Sequence, residues 1–272
     1  MSSVVGFIGA GQMGEPMVTR LLAAGNDVHV YARRDAVRAR LGRSGASIAS
    51  SIAELGARSD VVISCVFSDE QLMDIASGPA GLLANANDGT VIVSHTTGRA
   101  DTVAAMANSS PGICFVDAPV SGTAADIVDG ALTVLIGGDG AAIDRVTPLL
   151  SAYADPLVHT GPLGTALNIK LINNLLFAAN AQIISAATKL GQSIGVDEMS
   201  LLQALEVCSA GSRLASYARQ FGGMDVFAAG AGPVLRKDVA ACVDAAAAAG
   251  ADLGLLLTIV ESGPLDLVDA DT

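Results

Sequence analysis

Apolar positions in this chain come in two textures. Up to about Thr160, short β-branched runs alternate with alanine- or leucine-rich stretches of helical period. The runs are SVVGFI (3–8), DVHVYA (27–32), DVVISCV (60–66), TVIVS (90–94), ICFVDA (113–118), LTVLIG (132–137) and DPLVHT (155–160). Alternation of strand and helix predicts an α/β domain with a parallel, doubly wound Rossmann-type sheet, and near-continuous apolar runs predict strands covered on both faces. After HTGPLG (159–164) such runs vanish, and residues 165–190 carry neither proline nor internal glycine before Leu190, which predicts one long helix. Further helices are predicted over 196–207, 213–221, 234–249 and 251–261. The expected organisation is a dinucleotide-binding domain over 1–162 and an all-helical domain over 163–272 that binds substrate and serves oligomerisation.

The first run leads straight into GAGQMG, with Gly9, Gly11 and Gly14 in the spacing G-x-G-x-x-G and Gln12 and Met13 between them. Such a loop turns tightly, brings its backbone close to a pyrophosphate and opens a helix whose N-terminal N–H groups face the anion. The spacing alone is weak; a strand before it and an amphipathic helix and second strand after it make it specific. That second strand ends in YARRDAVRAR. Arg33 and Arg34 stand where an acid would hold the ribose hydroxyls of NAD, and Arg38, Arg40 and Arg43 follow. Arginine there accommodates a ribose 2′-phosphate, so NADP(H) is expected over NAD(H). The competing reading of the later three is a solvated basic face.

Composition narrows the partners. The chain has 272 residues, 51% hydrophobic and 15% charged, with a formal net charge of −12, which opposes nucleic-acid or anionic-membrane binding. The segment most like a membrane span, 240–260, is interrupted by Asp244 and Asp252, and the start lacks the pattern of a secretory signal; a cytoplasmic protein is expected. Four cysteines and three histidines are scattered without ligand spacing, so neither a disulfide framework nor a metal site is expected.

One stretch stands out against this apolar background. ALNIKLINNLLF (166–177) holds Lys170, one of three lysines in the chain, followed by two asparagines. Lysine is almost never fully buried without a partner. Lys170 and Asn174 are four apart, which on a helix puts both on one face, whereas Asn173 points elsewhere. A lysine that packs its stem and extends its head to solvent is the bland alternative, and it is the reading adopted for Lys189.

The glycine loop, DAPVSG (117–122), GPLGTALNIKLINN (161–174) and LRKD (235–238) occur in order, and together this set resembles the β-hydroxyacid dehydrogenase family over nearly the whole chain. The resemblance implies that Lys170 is the catalytic acid/base, with a pKa lowered by its apolar setting, and that Asn174 orients it or the substrate oxygen. It implies that Ser121 and Gly122 hold a substrate carboxylate; Thr123 stands where the family usually has a further glycine, which retunes that pocket. Thr96 takes the place of a residue near the nicotinamide, Lys237 reaches the cofactor or active site, and Val66 and Phe67 flank ribose or adenine. His95 matches no catalytic position and is given a loop role. The expected activity is NADPH-dependent hydride transfer to or from a small β-hydroxy acid or semialdehyde acid, by a dimer or tetramer. An imine reductase or reductive aminase on the same scaffold, and a dinucleotide-binding protein without turnover, are the alternatives.

Overall fold

Each of the seven apolar runs coincides with a strand to within two residues at either end in the computed structural model, which describes residues 3–268. They are β1 (Val4–Ile8), β2 (Asp27–Tyr31), β4 (Val61–Ser64), β5 (Val91–Ser94), β6 (Cys114–Asp117), β8 (Leu132–Gly138) and β9 (Ala154–Gly161). Two short strands escaped the pattern, β3 (Ser47–Ile48) and β7 (Val120–Ser121), because two residues carry no period. The parallel part runs in the order β3-β2-β1-β4-β5-β6, with the change of winding direction between β1 and β4. In such sheets ligands bind beyond the carboxyl ends of the strands at that reversal.

Helices cover both faces: α1 (Gly14–Ala23), α2 (Asp35–Arg43), α3 (Ile52–Arg58), α4 (Asp69–Ala76), α5 (Leu82–Asn85), α6 (Ala100–Ser109), α7 (Ala124–Asp129) and α8 (Gly140–Leu150). Successive strand residues serve opposite faces. Val61, Ile63, Val91 and Val93 pack with Met17 and Leu21 of α1 and Ile143 of α8, while Val62 and Ile92 pack with Leu55, Leu72 and Met106 on the other side. This two-sided burial explains why β4 and β5 read as uninterrupted apolar runs.

The far side of the sheet departs from the parallel expectation. β8 runs antiparallel to both β6 and β7, and β9 pairs parallel to β8. Only residues 122–131, with the six-residue α7, join β7 to β8. A parallel crossover needs a dozen residues or more, so the chain folds directly back. β9 is mostly exposed, unlike the two-sided strand expected there.

The chain divides into two compact units, Met1–Lys170 and Leu171–Thr272, the cut falling within α9 (Thr165–Ser193). The second unit also contains α10 (Glu198–Val207), α11 (Arg213–Phe221), α12 (Met224–Ala249) and α13 (Gly254–Ser262). Its core joins Leu175, Ala178 and Ala181 of α9 to Leu202, Leu214, Phe227, Val239 and Val260. Buried Gln182 pins the end of the unit, donating from Nε2 to the carbonyls of Val260 (2.6 Å) and Leu265 (2.8 Å) and accepting the Leu265 N–H (2.8 Å). Among the described residues no helix is long and apolar enough to cross a membrane, and no group of three or more His, Cys, Asp or Glu is placed to hold a metal ion.

Candidate active site

The glycine loop follows β1 and lies beside the carboxyl end of β4. Gly9 has φ +97°, and a Cβ there would stand 2.2 Å from the Cys65 carbonyl oxygen. At Gly14 a Cβ would stand 2.2 Å from the Gly9 oxygen, so α1 can approach β1 only without a side chain. Around Gly11 the corresponding space is open, and no side chain caps the start of α1. The turn therefore leaves room beside Gly11 at a helix terminus that no side chain caps, an arrangement suited to a phosphate. The three glycines thus differ in their surroundings: Gly9 and Gly14 each stand where a Cβ would collide with backbone, and Gly11 stands in open space.

Beside the loop lies a cavity of about 520 Å³ lined by Gly9, Gly11, Tyr31, Arg33, Arg34, Val66, Phe67, Gln71 and Asp74, among others. It brings together six of the candidate cofactor residues, namely Gly9, Gly11, Arg33, Arg34, Val66 and Phe67. Gln12, Met13 and Gly14 belong to the same turn without lining the cavity. Tyr31, Gln71 and Asp74 were missed: nothing in their local pattern separates them from other residues at strand ends and helix faces. Cys65 also lines the cavity, and burial pushes its thiol up to about 11, so it is no thiolate at neutral pH.

The five arginines after β2 separate by their partners. Arg40 grips Glu15 at the start of α1 with two hydrogen bonds, of 2.7 and 2.8 Å, and this guanidinium holds the Glu15 carboxyl below the usual carboxylate range. Arg38 pairs with Asp35 and donates to the Ala32 carbonyl at 3.0 Å, and Arg43 is exposed. Arg33 and Arg34 are the two that line the cavity.

At the carboxyl ends of β5 and β6 polar groups are buried. Thr96 is 2% exposed, and its Oγ1 finds no hydrogen-bond partner among the described residues. His95 instead is fully engaged. Its Nδ1 stands 2.5 Å from the Ala118 carbonyl and its Nε2 2.8 Å from the Tyr153 hydroxyl. A carbonyl only accepts, so Nδ1 carries the proton and Nε2 receives the Tyr153 O–H. Burial lowers the His95 pKa to about 4, which fits a neutral structural clamp between β5 and β6. The carboxylate of Asp117, wholly buried, accepts the N–H groups of Gly164 (2.8 Å) and Leu167 (2.9 Å) at the start of α9.

Beyond Asp117 the chain reaches Ser121, Gly122 and Thr123, all exposed. Thr123 is the N-cap of α7: its N–H (2.6 Å) and hydroxyl (2.8 Å) both donate to Asp126 Oδ2, and its Oγ1 accepts the Asp126 N–H. A Cβ on Gly122 would stand 2.9 Å from the same oxygen. A carboxylate of the protein itself therefore occupies the Thr123 donors, and of these contacts the one from the hydroxyl needs a side chain that glycine lacks. Lys170, half-buried, and Asn174, 6% exposed, lie one turn apart on α9. Asn174 Oδ1 accepts from Asn173 Nδ2 at 3.3 Å, and Asn174 Nδ2 is buried with no partner among the described residues. Lys237 and Asp238 are half-buried on α12.

Comparisons with known proteins agree with this layout. The family model for the NAD-binding domain of 6-phosphogluconate dehydrogenase matches residues 4–161, and that for the NAD-binding region of NADP-dependent 3-hydroxyisobutyrate dehydrogenase matches 164–262. An uncharacterized oxidoreductase of Shewanella frigidimarina is 35% identical over 76% of this chain and 72% of its own length. The NAD-dependent L-serine dehydrogenase of Pseudomonas aeruginosa is 33% identical over 76% of this chain and 70% of its own. Among solved structures, the 3-hydroxyisobutyrate dehydrogenase of Mycobacterium tuberculosis with L-serine superposes with a TM-score of 0.84 at 24% identity, covering 96% of this chain and 92% of that one. That likeness, at such identity, concerns the fold. With a cofactor loop whose three glycines do distinct work and two consecutive family matches along its length, the chain belongs to the β-hydroxyacid dehydrogenase family and is an NAD(P)-dependent oxidoreductase acting on CH–OH groups.

Proposed function

We propose that this enzyme interconverts a small β-hydroxy acid and its semialdehyde acid with NADPH, and that Lys170 moves the proton. The observation that carries the reading is the pair on α9: a half-buried lysine and, one turn on, an asparagine whose buried Nδ2 has no partner among the described residues. A buried donor without an acceptor is destabilising unless something else accepts from it. Asn174 Nδ2 is therefore suited to hold the substrate oxygen on which Lys170 acts. As ammonium, Lys170 donates a proton to the carbonyl oxygen during reduction, and as amine it takes one from the hydroxyl during oxidation. The nicotinamide, when bound, supplies or receives the hydride.

Other residues bind and orient. Gly9, Gly11, Gln12, Met13 and Gly14 form the pyrophosphate turn, and Arg33 and Arg34, the cavity-lining pair, suit a ribose 2′-phosphate through charge-assisted hydrogen bonds. Val66 and Phe67 offer apolar surface to the adenosine, and the unengaged Thr96 hydroxyl suits the nicotinamide end. Ser121 and Gly122 receive the substrate carboxylate, and Lys237 takes the cofactor-binding role that the resemblance implies.

One observation favours a second reading. Asp126 already occupies the Thr123 N–H and hydroxyl, which places negative charge beside Gly122 and disfavours an anionic substrate there. Imine reduction suits such a site better, and a Pseudomonas imine reductase shares the fold with a TM-score of 0.65.

The deciding experiment follows NADPH consumption, with NADH in parallel, against succinic, methylmalonic and tartronic semialdehydes, with and without ammonia, and the reverse reaction with L-serine. Turnover of a semialdehyde acid without ammonia, faster with NADPH, is expected. Activity only with ammonia establishes the imine reading, and stoichiometric NADPH binding without turnover removes catalysis altogether. Lys170→Met should lower kcat by about two to four orders of magnitude while NADPH binding stays nearly unchanged, and unaltered turnover would sink the lysine role.

A further inference from the structure

Asp117 is the one carboxylate buried from solvent among the described residues, and the mechanism above leaves it without a task. Its two oxygens take two different amides of one helix start, Gly164 N–H on Oδ1 at 2.8 Å and Leu167 N–H on Oδ2 at 2.9 Å. Helices α3, α4, α7, α8, α10 and α11 are capped by the residue that precedes them, Ser51, Ser68, Thr123, Asp139, Asp197 and Ser212. The amides of α9 are instead taken by a residue 47 to 50 positions away in sequence. A local serine or aspartate would satisfy the same donors without burying a charge, and burying a carboxylate costs more than exposing one. What the distant carboxylate adds is a fixed register between the end of β6 and the first turn of α9.

Neighbouring contacts point the same way. Gly137 faces Asp117 in the β6–β8 pairing, and a Cβ there would stand 2.5 Å from Asp117 Oδ1 and 2.9 Å from the Pro162 oxygen. Thr165 on α9 shares a 2.7 Å hydrogen bond with the Thr160 hydroxyl, which donates to the Ile136 carbonyl at 3.0 Å. The helix start is thus tied to β8 as well. Ala118, the next residue, is held by His95 at 2.5 Å, and Ser121 follows three positions on. Lys170 lies three residues beyond Leu167, the adjacent position on that side of the helix.

We propose that Asp117 is a positioning residue: by fixing the first turn of α9 to the end of β6 it holds Lys170 in register with Ser121 and Thr96. The inference deepens the reading of Lys170 as proton donor and rests on it. A misplacement of about 1 Å at a reacting group lowers rate by on the order of a hundredfold, so a slip of this turn acts on kcat and leaves cofactor affinity alone.

Asp117→Asn keeps the shape and one acceptor oxygen but turns an amide N–H2 toward a backbone N–H. With NADPH and the semialdehyde acid that the enzyme reduces fastest, kcat should fall about 10- to 100-fold, while the Kd for NADPH, read by calorimetry, stays within about twofold. In a Lys170→Met background the same substitution should lower the residual kcat less than about twofold, since no lysine remains to be misplaced. An unchanged kcat, an equal loss in both backgrounds, or a parallel loss of NADPH affinity overturns the positioning role. Undiminished turnover in Lys170→Met alone overturns the lysine reading itself, a separate outcome. If Asp117→Asn does not fold, Gly137→Ala enters the same cycle with the same expectations, because its methyl would push on Asp117 Oδ1 and leave the charge in place.

Discussion

His95 shows how far a side chain's surroundings decide its chemistry. A histidine just past a strand end, beside a cofactor site, invites a proton-transfer role, yet both ring nitrogens are engaged inside the protein and the neutral form is held. The sign of the pH dependence follows. Unfolded, His95 titrates near 6.5, and folded at about 4, so between these values the unfolded chain binds more protons and stability falls as pH falls. From this residue alone the loss is on the order of 3 kcal/mol and is complete near pH 4. Urea unfolding at pH 7 and pH 4.5 should show a smaller loss for His95→Gln, which keeps a donor toward Ala118 but does not titrate. Equal losses in variant and wild type would remove His95 from the acid response. The tight turn of the glycine loop, and the place of Arg33 and Arg34 at the end of β2 beside the cavity, were legible from sequence because turn geometry and strand ends are nearly local. The occupation of Thr123 by Asp126 was not, since N-capping depends on where α7 begins.

Among elements, strand positions followed from apolar runs, and α11 begins and ends at the expected residues. Boundaries failed where two principles compete. A helix was expected over 234–249, but α12 begins at Met224 and runs through Pro233. Met224 and Phe227 are buried in the core of the second unit, and that burial outweighs a missing backbone hydrogen bond. Pro233 itself is exposed, so Pro233→Ala removes little packing. It should raise stability by about 1–3 kcal/mol, the helix-interior penalty less the entropy that proline withholds from the unfolded chain. A chemical denaturation midpoint that falls instead would mean the proline shapes α12 rather than merely being tolerated. The direction of β8 was equally invisible to periodicity, because an apolar run reads the same either way and only the short α7 connection reverses it.

At the scale of the molecule, α9 carries Ile169, Leu176, Ile183 and Leu190 at heptad spacing, 43 to 62% exposed. A seven-residue repeat keeps one face of a helix apolar along its length, the pattern of helix pairing between chains. The dimer or tetramer expected from the sequence would cover that stripe in a symmetric arrangement. Ile183→Glu with Leu190→Glu should lower the sedimentation coefficient to that of a monomer, at little cost to the fold because both side chains face outward. A wild-type chain that sediments as a monomer would exclude the association.

Residues 4–14 and 27–34 by themselves determined the dinucleotide fold and the cofactor loop, for strand period, tight turns and anion binding at a helix start are written within a few neighbours in sequence. Ordered motifs likewise identified the family, since their spacing along the chain survives without any knowledge of contacts. Tertiary structure alone decided that β8 turns back, that His95 is neutral, that Asp126 holds Thr123, and that Asp117 caps α9. Each of these depends on which distant groups meet in a medium without water, where a buried donor, acceptor or charge must find its partner wherever the fold brings one.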